Sequence, residues 1–164
     1  MINSRNKGFT LLETLVAVAI IVIGALGVFS AVAKYSQMTE QERDNLVATY
    51  LCQEGIEIVK NIRDTNWIEE SAGWKDGISC SSGCQADFDD TTFSAFSSES
   101  FLYIDYSNGL YQYLSDPDPD LDVETPYSRK ITITEVGDDE LDIEVTVYWH
   151  ASSMTVKENI YNWK

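Results

Sequence analysis

The chain has 164 residues, 44% of them hydrophobic and 23% charged, with a formal net charge of −16. That length suits one soluble domain plus an anchor, and the roughly 130 residues after Ala33 are enough for a core of their own, since even a 150-residue domain buries about 68–70% of its unfolded surface. The acid excess argues against a nucleic-acid receptor, because phosphate binding needs clustered Lys and Arg and no basic patch follows residue 8.

The chain opens with "RNKGFTLLETLVAVAIIVIGALGVF", two basic residues and a glycine followed by an apolar block. From Thr14 to Ala33 no residue is charged, a run that matches the ~20 residues a helix needs to cross a ~30 Å hydrocarbon core. Glu13 stands at its edge. A carboxylate there costs less than the ~2.5–3.5 kcal/mol quoted for the centre of a span, yet the cost is still unfavourable. Either Glu13 snorkels to the headgroups or it has a cationic partner. Three processing outcomes stay open on the residues alone. Arg5 and Lys7 could hold an uncleaved anchor in the cytoplasm. A secretory signal could be cut after "AVA" at Ala31 to Ala33, which would release a domain starting at Lys34. A cut between Gly8 and Phe9 would instead keep the apolar helix on the mature protein.

The run "KGFTLLE" followed by "TLVAVAIIVIGAL" resembles the class III signal of type IV pilins and of the pseudopilins of type II secretion. The resemblance is specific over residues 5–33. It implies that a membrane-embedded prepilin peptidase cuts after Gly8 and N-methylates the new terminal residue, Phe9. It further implies that Glu13, fifth in the mature chain, pairs its carboxylate with the terminal ammonium of a neighbouring subunit as the filament assembles. Residues 1–8 would then be a leader, 9–33 a transmembrane and assembly helix, and 34–164 an extracytoplasmic globular domain. The implied partners are other pilin subunits, the prepilin peptidase, a membrane assembly platform, and the inner membrane before assembly. The implied destination is an extracellular or periplasmic filament. Losing Arg5 and Lys7 with the leader would take the side-chain charge from −16 to −18. Many pilins of this kind carry a helix-breaking proline further along the anchor; here that region reads Phe29, Ser30, Ala31.

The helix is expected to run on to about Asp64. The segment after Ala33 has no proline and is rich in helix formers. Val47, Ala48, Leu51, Cys52, Gly55, Ile58, Val59 and Ile62 form one stripe at helical spacing, with charged residues elsewhere. This stripe reads as a seam against the domain's own sheet. Gly55 lowers helix propensity by roughly 1 kcal/mol relative to Ala, so its use there would be the close approach of a strand. Cys52 falls among apolar neighbours and reads as a small buried hydrophobe.

From Thr65 to Ser100 the periodicity is lost and an ordered loop is expected, with Trp67, Trp74, Phe88, Phe93 and Phe96 packing down on the sheet. Within it, Cys80 and Cys84 are separated by three small residues. In an extracytoplasmic setting a disulfide between them is expected; free thiols or half of a metal site are the alternatives, and the single His150 and distant Cys52 make a weak ligand set. Next, "FLYIDYSNGLYQYLS" gives a hairpin around "SNG". A second hairpin follows in "RKITITEVGDDELDIEVTVYWHA", where Ile131, Ile133, Leu141, Ile143, Val145 and Val147 alternate at period two. "MTVKENIYNWK" supplies a last strand. The sum is an α+β fold, a long N-terminal helix on an antiparallel sheet of four to five strands, which is the pilin architecture.

"DPDPDLDVE" from Asp116 to Glu124 places acids at alternate positions, as a calcium loop does. The match then fails, with Leu121 in place of the turn glycine and Tyr127 in place of the bidentate Glu. A solvated acidic loop between hairpins is the expectation, with no metal or cofactor. No nucleophile motif accompanies His150, and no spacing selects an acid pair, so no enzyme is expected. Two function classes remain. One is a filament subunit, most like a minor pilin from "VATYLCQEGIEIVKNIRD" and "VTVYW", or else a minor pseudopilin. The other is a binding module at a filament tip, using the aromatic loop.

Overall fold

The computed structural model describes Gly8, residues 10–69 and residues 73–163. The expectations placed on Arg5, Lys7 and Phe9 fall outside the described residues. The chain divides into two units, Met1–Asp44 and Asn45–Lys164.

Helix α1 runs from Leu11 to Glu69, five residues further than the sequence pattern suggested. Its start is a cap. Thr10 precedes the first helical residue, and its Oγ1 accepts from the Glu13 amide at 3.3 Å. Thr10-Leu11-Leu12-Glu13 is the spacing of a capping box, and an acid in the first turn suits the positive end of the helix dipole. In the first unit every described residue from Gly8 to Arg43 is exposed, including Leu11 at 83%, Ile21 at 69% and Phe29 at 72%. The N-terminal part of α1 is long and apolar enough to cross a membrane.

The second unit holds the core. From Asn45 on, α1 buries Ala48, Leu51, Cys52, Gly55, Ile56, Ile58, Val59 and Ile62. Seven of these eight are the expected stripe. Val47 is only half-buried, at the edge of the core, and Ile56 is buried instead. The described residues form eight strands: β1 Cys80–Gln85, β2 Ser94–Ala95, β3 Tyr103–Asp105, β4 Tyr111–Gln112, β5 Asp122–Glu124, β6 Tyr127–Glu135, β7 Glu140–Trp149 and β8 Ser152–Tyr161. Five make one antiparallel sheet in the order β2-β1-β6-β7-β8, and three make another in the order β4-β3-β5. This is an α+β architecture consistent with the pilin fold.

The alternation read in the second hairpin is the alternation that packs. Ile131, Ile133, Leu141, Ile143, Val145 and Val147 are at most 3% exposed and share a cluster with the helix stripe. At roughly 1.5–3 kcal/mol per fully buried aliphatic side chain, this seam is the main source of stability in the unit.

Two sequence expectations need correction. The stretch from Thr65 to Ser100 is not strandless: α1 continues into it and it contributes β1 and β2. "CSSGCQ" lacks β-branched residues and clean alternation, so its strand character comes from pairing with β6 rather than from propensity. Between the pairs Cys80↔Ile133 and Cys84↔Ile131, β1 advances four positions while β6 advances two, a register irregularity. Gly83 takes φ +97 within it, a conformation open to glycine. Secondly, the aromatics do not all pack down. Trp74 and Phe93 lie against the core. Trp67 meets Trp163 edge-on at 4.0 Å, while Phe88 is 40% exposed.

Gly55 has the expected use. A Cβ there would come within 2.8 Å of Val145 Cγ1 and 3.1 Å of Arg129 Cδ. Gly55→Ala gains helix propensity but overpacks the seam, at a typical cost of ~1–3 kcal/mol. The variant is therefore expected to be less stable than wild type in chemical denaturation, and Val145→Ala added to it should recover part of the loss. A Gly55→Ala protein as stable as wild type would show that the strand does not need this close approach.

Candidate functional site

Among the residues singled out by sequence, those at the N-terminus lie together on one short stretch. Gly8 has open space around it, so no packing demand requires a glycine there. The Glu13 amide donates to Thr10 O at 3.0 Å, and Thr14 Oγ1 donates to Leu11 O at 2.8 Å. The Glu13 side chain is exposed and has no ion pair among the described residues. What this stretch offers chemically is a carboxylate at the head of an uncovered apolar helix.

Cys80 and Cys84 are joined by a disulfide. They lie on β1 rather than in a tight loop, and both are buried. Cys52 is a free, buried thiol whose Sγ lies 3.7 Å from the carbonyls of Val145 and Met154. Burial pushes its pKa up, which leaves it the neutral thiol of a packing residue.

The acidic run is tied into turns. The Asp118 amide donates to Asp122 Oδ2 at 2.7 Å, and Asp118 Oδ1 accepts from the Asp120 amide at 2.9 Å. Its end forms β5, paired with β3, so only part of the run is loop. Among the described residues no three His, Cys, Asp or Glu side chains are grouped to hold a metal. His150 is exposed, in the turn between β7 and β8.

Sequence reasoning missed a buried polar network. Arg129 on β6 is 0% exposed. Its Nη1 lies 2.9 Å from Glu54 Oε2 and also donates to Leu51 O, and its Nη2 donates to Ala86 O at 2.8 Å. The Tyr113 hydroxyl donates to Arg129 O and accepts from Arg129 N, each at 2.9 Å. The Tyr113 amide donates to both carboxylate oxygens of Asp87, at 3.0 and 2.9 Å. Burial pushes the Asp87 pKa up to about 6, against the Tyr113 amide and the nearby Arg129 charge, which pull it down. Burial likewise raises Tyr113 to about 12. This network ties α1, β6 and the segments after β1 and β4. The one sequence signal for it was a glycine on the helix stripe, which makes room for the Arg129 stem as well as for Val145.

Residues 3–29 match the family model described as the prokaryotic N-terminal methylation motif. No curated protein and no solved structure matches the chain. The match covers the N-terminal stretch alone, and there it agrees with the arrangement of Gly8, Thr10, Glu13 and the exposed apolar helix. The chain thus carries a type IV pilin-like class III signal, a motif that implies processing by prepilin peptidase and assembly into filaments with other pilins.

Proposed function

We propose that this protein is a minor structural subunit of a type IV pilus. Residues 1–8 are a leader removed after Gly8, and Phe9 becomes the N-methylated terminus. Residues 9–33 hold the precursor in the inner membrane and then pack in the filament, while residues 34–164 form the extracytoplasmic globular domain. Glu13 is the assembly residue, pairing with the Phe9 ammonium of a neighbour. The observation that carries this reading is the methylation motif at residues 3–29 leading directly into a helix whose apolar side chains are uncovered. In the bilayer such a helix satisfies its own backbone groups, and on leaving it the apolar surface needs other subunits. No catalytic role is part of the proposal. The minor rank rests on the resemblance of "VATYLCQEGIEIVKNIRD" and "VTVYW" to minor pilins, and copy number along purified fibres tests it.

Mass spectrometry of fibre-borne protein should give a chain beginning at N-methyl-Phe9. Replacing Gly8 with a bulky residue should leave the precursor uncut in the membrane. A mature terminus at Lys34 would show an ordinary secretory signal and overturn the reading.

A further inference from the structure

Beside the turn between β7 and β8 the second unit opens a groove of about 390 Å³ that the N-terminal signal does not account for. Aromatic rings wall it: Phe96, Phe101, Tyr148 and Trp149. Phe96 and Tyr148 lie 6.1 Å apart between ring centroids, with their planes tilted by 33°. Tyr148 is 40% exposed, so it offers a ring that folding has left uncovered.

Polar groups line the same groove. Ser128 is only 4% exposed, yet its hydroxyl has no hydrogen-bond partner among the described residues. Among the described residues the buried side-chain atom without a partner is Arg129 Nε, so the Ser128 hydroxyl is reachable from the groove. An occupant that displaced its water would have to offer it a hydrogen bond. Ser98 and His150 face the groove as well, without internal partners among the described residues. His150 has φ +50 and is the one non-glycine residue with positive φ among those described. Trp149 pairs with Ser152, so His150 opens a two-residue hairpin connection at a place where glycine is favoured. Holding an imidazole there is a local strain of the kind that collects at binding sites.

We propose that this groove binds a neutral saccharide, with a sugar ring stacked on the aromatic wall and its hydroxyls bonded to Ser128, Ser98 and His150. A pyranose presents an apolar C–H face to an aromatic ring and a rim of hydroxyls that both donate and accept. Serine hydroxyls and the two ring nitrogens of an imidazole match that dual character. No Lys, Arg, Asp or Glu lines the groove; the Lys130 ammonium stands over the Phe96 ring at 6.0 Å from its centroid, and the chain's net charge of −16 disfavours an anion. A purely apolar occupant would leave the Ser128 hydroxyl unpaired. The volume falls within the usual range of small-ligand pockets, about 300–1,000 Å³, and holds one or two sugar rings.

The site does not depend on filament assembly, so the unassembled full-length chain can test it. It would be held in a polyoxyethylene detergent, which carries no sugar headgroup. Saturation-transfer NMR would use maltotriose, lactose and triacetylchitotriose as probes, with N-acetylphenylalaninamide as the apolar competitor. The expected result is transfer to the ring C–H protons of at least one sugar, with affinity at least tenfold weaker in Tyr148→Ala. His150→Gly should raise the thermal midpoint while weakening the sugar at least tenfold, a combination a merely structural histidine would not give. Its backbone suits the turn, so it serves if Tyr148→Ala fails to fold. No transfer to any of the three sugars would overturn the proposal. So would undiminished binding in a folded groove variant, or binding of the phenylalanine amide in their place.

Discussion

Glu13→Gln should be inserted and processed as wild type yet enter filaments at least two orders of magnitude less often. The substitution separates the two things Glu13 can do. The Glu13 backbone amide donates to Thr10 Oγ1 whatever side chain the residue carries, and Gln suits the third helical position of a capping box as well as Glu does. The helix start therefore survives the change and only the charge is lost. Under the proposed pairing, the Phe9 ammonium of the neighbour is then left in a low-dielectric layer without its carboxylate. Removing one partner of a buried pair typically costs ~3–5 kcal/mol, which at ~1.4 kcal/mol per tenfold is two to three orders of magnitude in occupancy. The measurement is the ratio of variant to wild type in sheared fibres, normalised to the processed membrane pool. Glu13→Ala keeps the amide bond to Thr10 Oγ1 while removing the carboxylate, and should enter filaments as rarely as the Gln variant. Equal incorporation of the Gln variant would show that the Glu13 charge has no part in assembly.

The N-terminal helix and the β6–β7 hairpin were the most legible parts of the fold, and for a common reason. Each is written in a single strong period. The stripe from Ala48 to Ile62 repeats at helical spacing and the run from Ile131 to Val147 alternates at two, and both stripes are buried in the same cluster. β1 was illegible because nothing in "CSSGCQ" prefers a strand; its conformation is imposed by β6 and by a glycine at positive φ. The small sheet was half-legible. The hairpin of β3 and β4 followed from "SNG", with Gly109 at φ +76. The third strand, at Asp122–Glu124, lay inside a run whose charge suggested only solvent. For the site, the "GFTLLE" pattern is local chemistry on consecutive residues, so sequence alone exposes it. The saccharide groove draws on three separate segments, and no linear motif can announce such a gathering. Arg129 was hidden for a different reason: a cation preceding a strand reads as surface, and only the tertiary structure shows it 0% exposed.

That buried arginine carries the largest expected effect on the stability of the second unit. Its guanidinium holds Glu54 and the carbonyls of Leu51 and Ala86, while its Nε is buried without a partner. Desolvating the charge is thus only partly offset, and a pair of this kind is weak evidence for net stabilisation. Truncation is another matter. Arg129→Ala leaves a cavity beneath Gly55, an unmatched Ala86 carbonyl, and a Glu54 carboxylate whose cation is gone. Breaking such a pair from one side typically costs ~3–5 kcal/mol, a large share of the ~5–15 kcal/mol that holds a domain folded. Arg129→Met should cost less, because its unbranched chain keeps much of the stem volume that packs beside Val145. Adding Glu54→Leu to Arg129→Met should recover more again, since replacing both charges by apolar groups is often neutral or better. Chemical denaturation of the full-length chain in micelles, followed by tryptophan fluorescence, orders the three variants. If Arg129→Ala proves as stable as the paired apolar replacement, the guanidinium is not what joins helix α1 to β6 and to the segment after β1, and the packing around Gly55 alone would have to hold them.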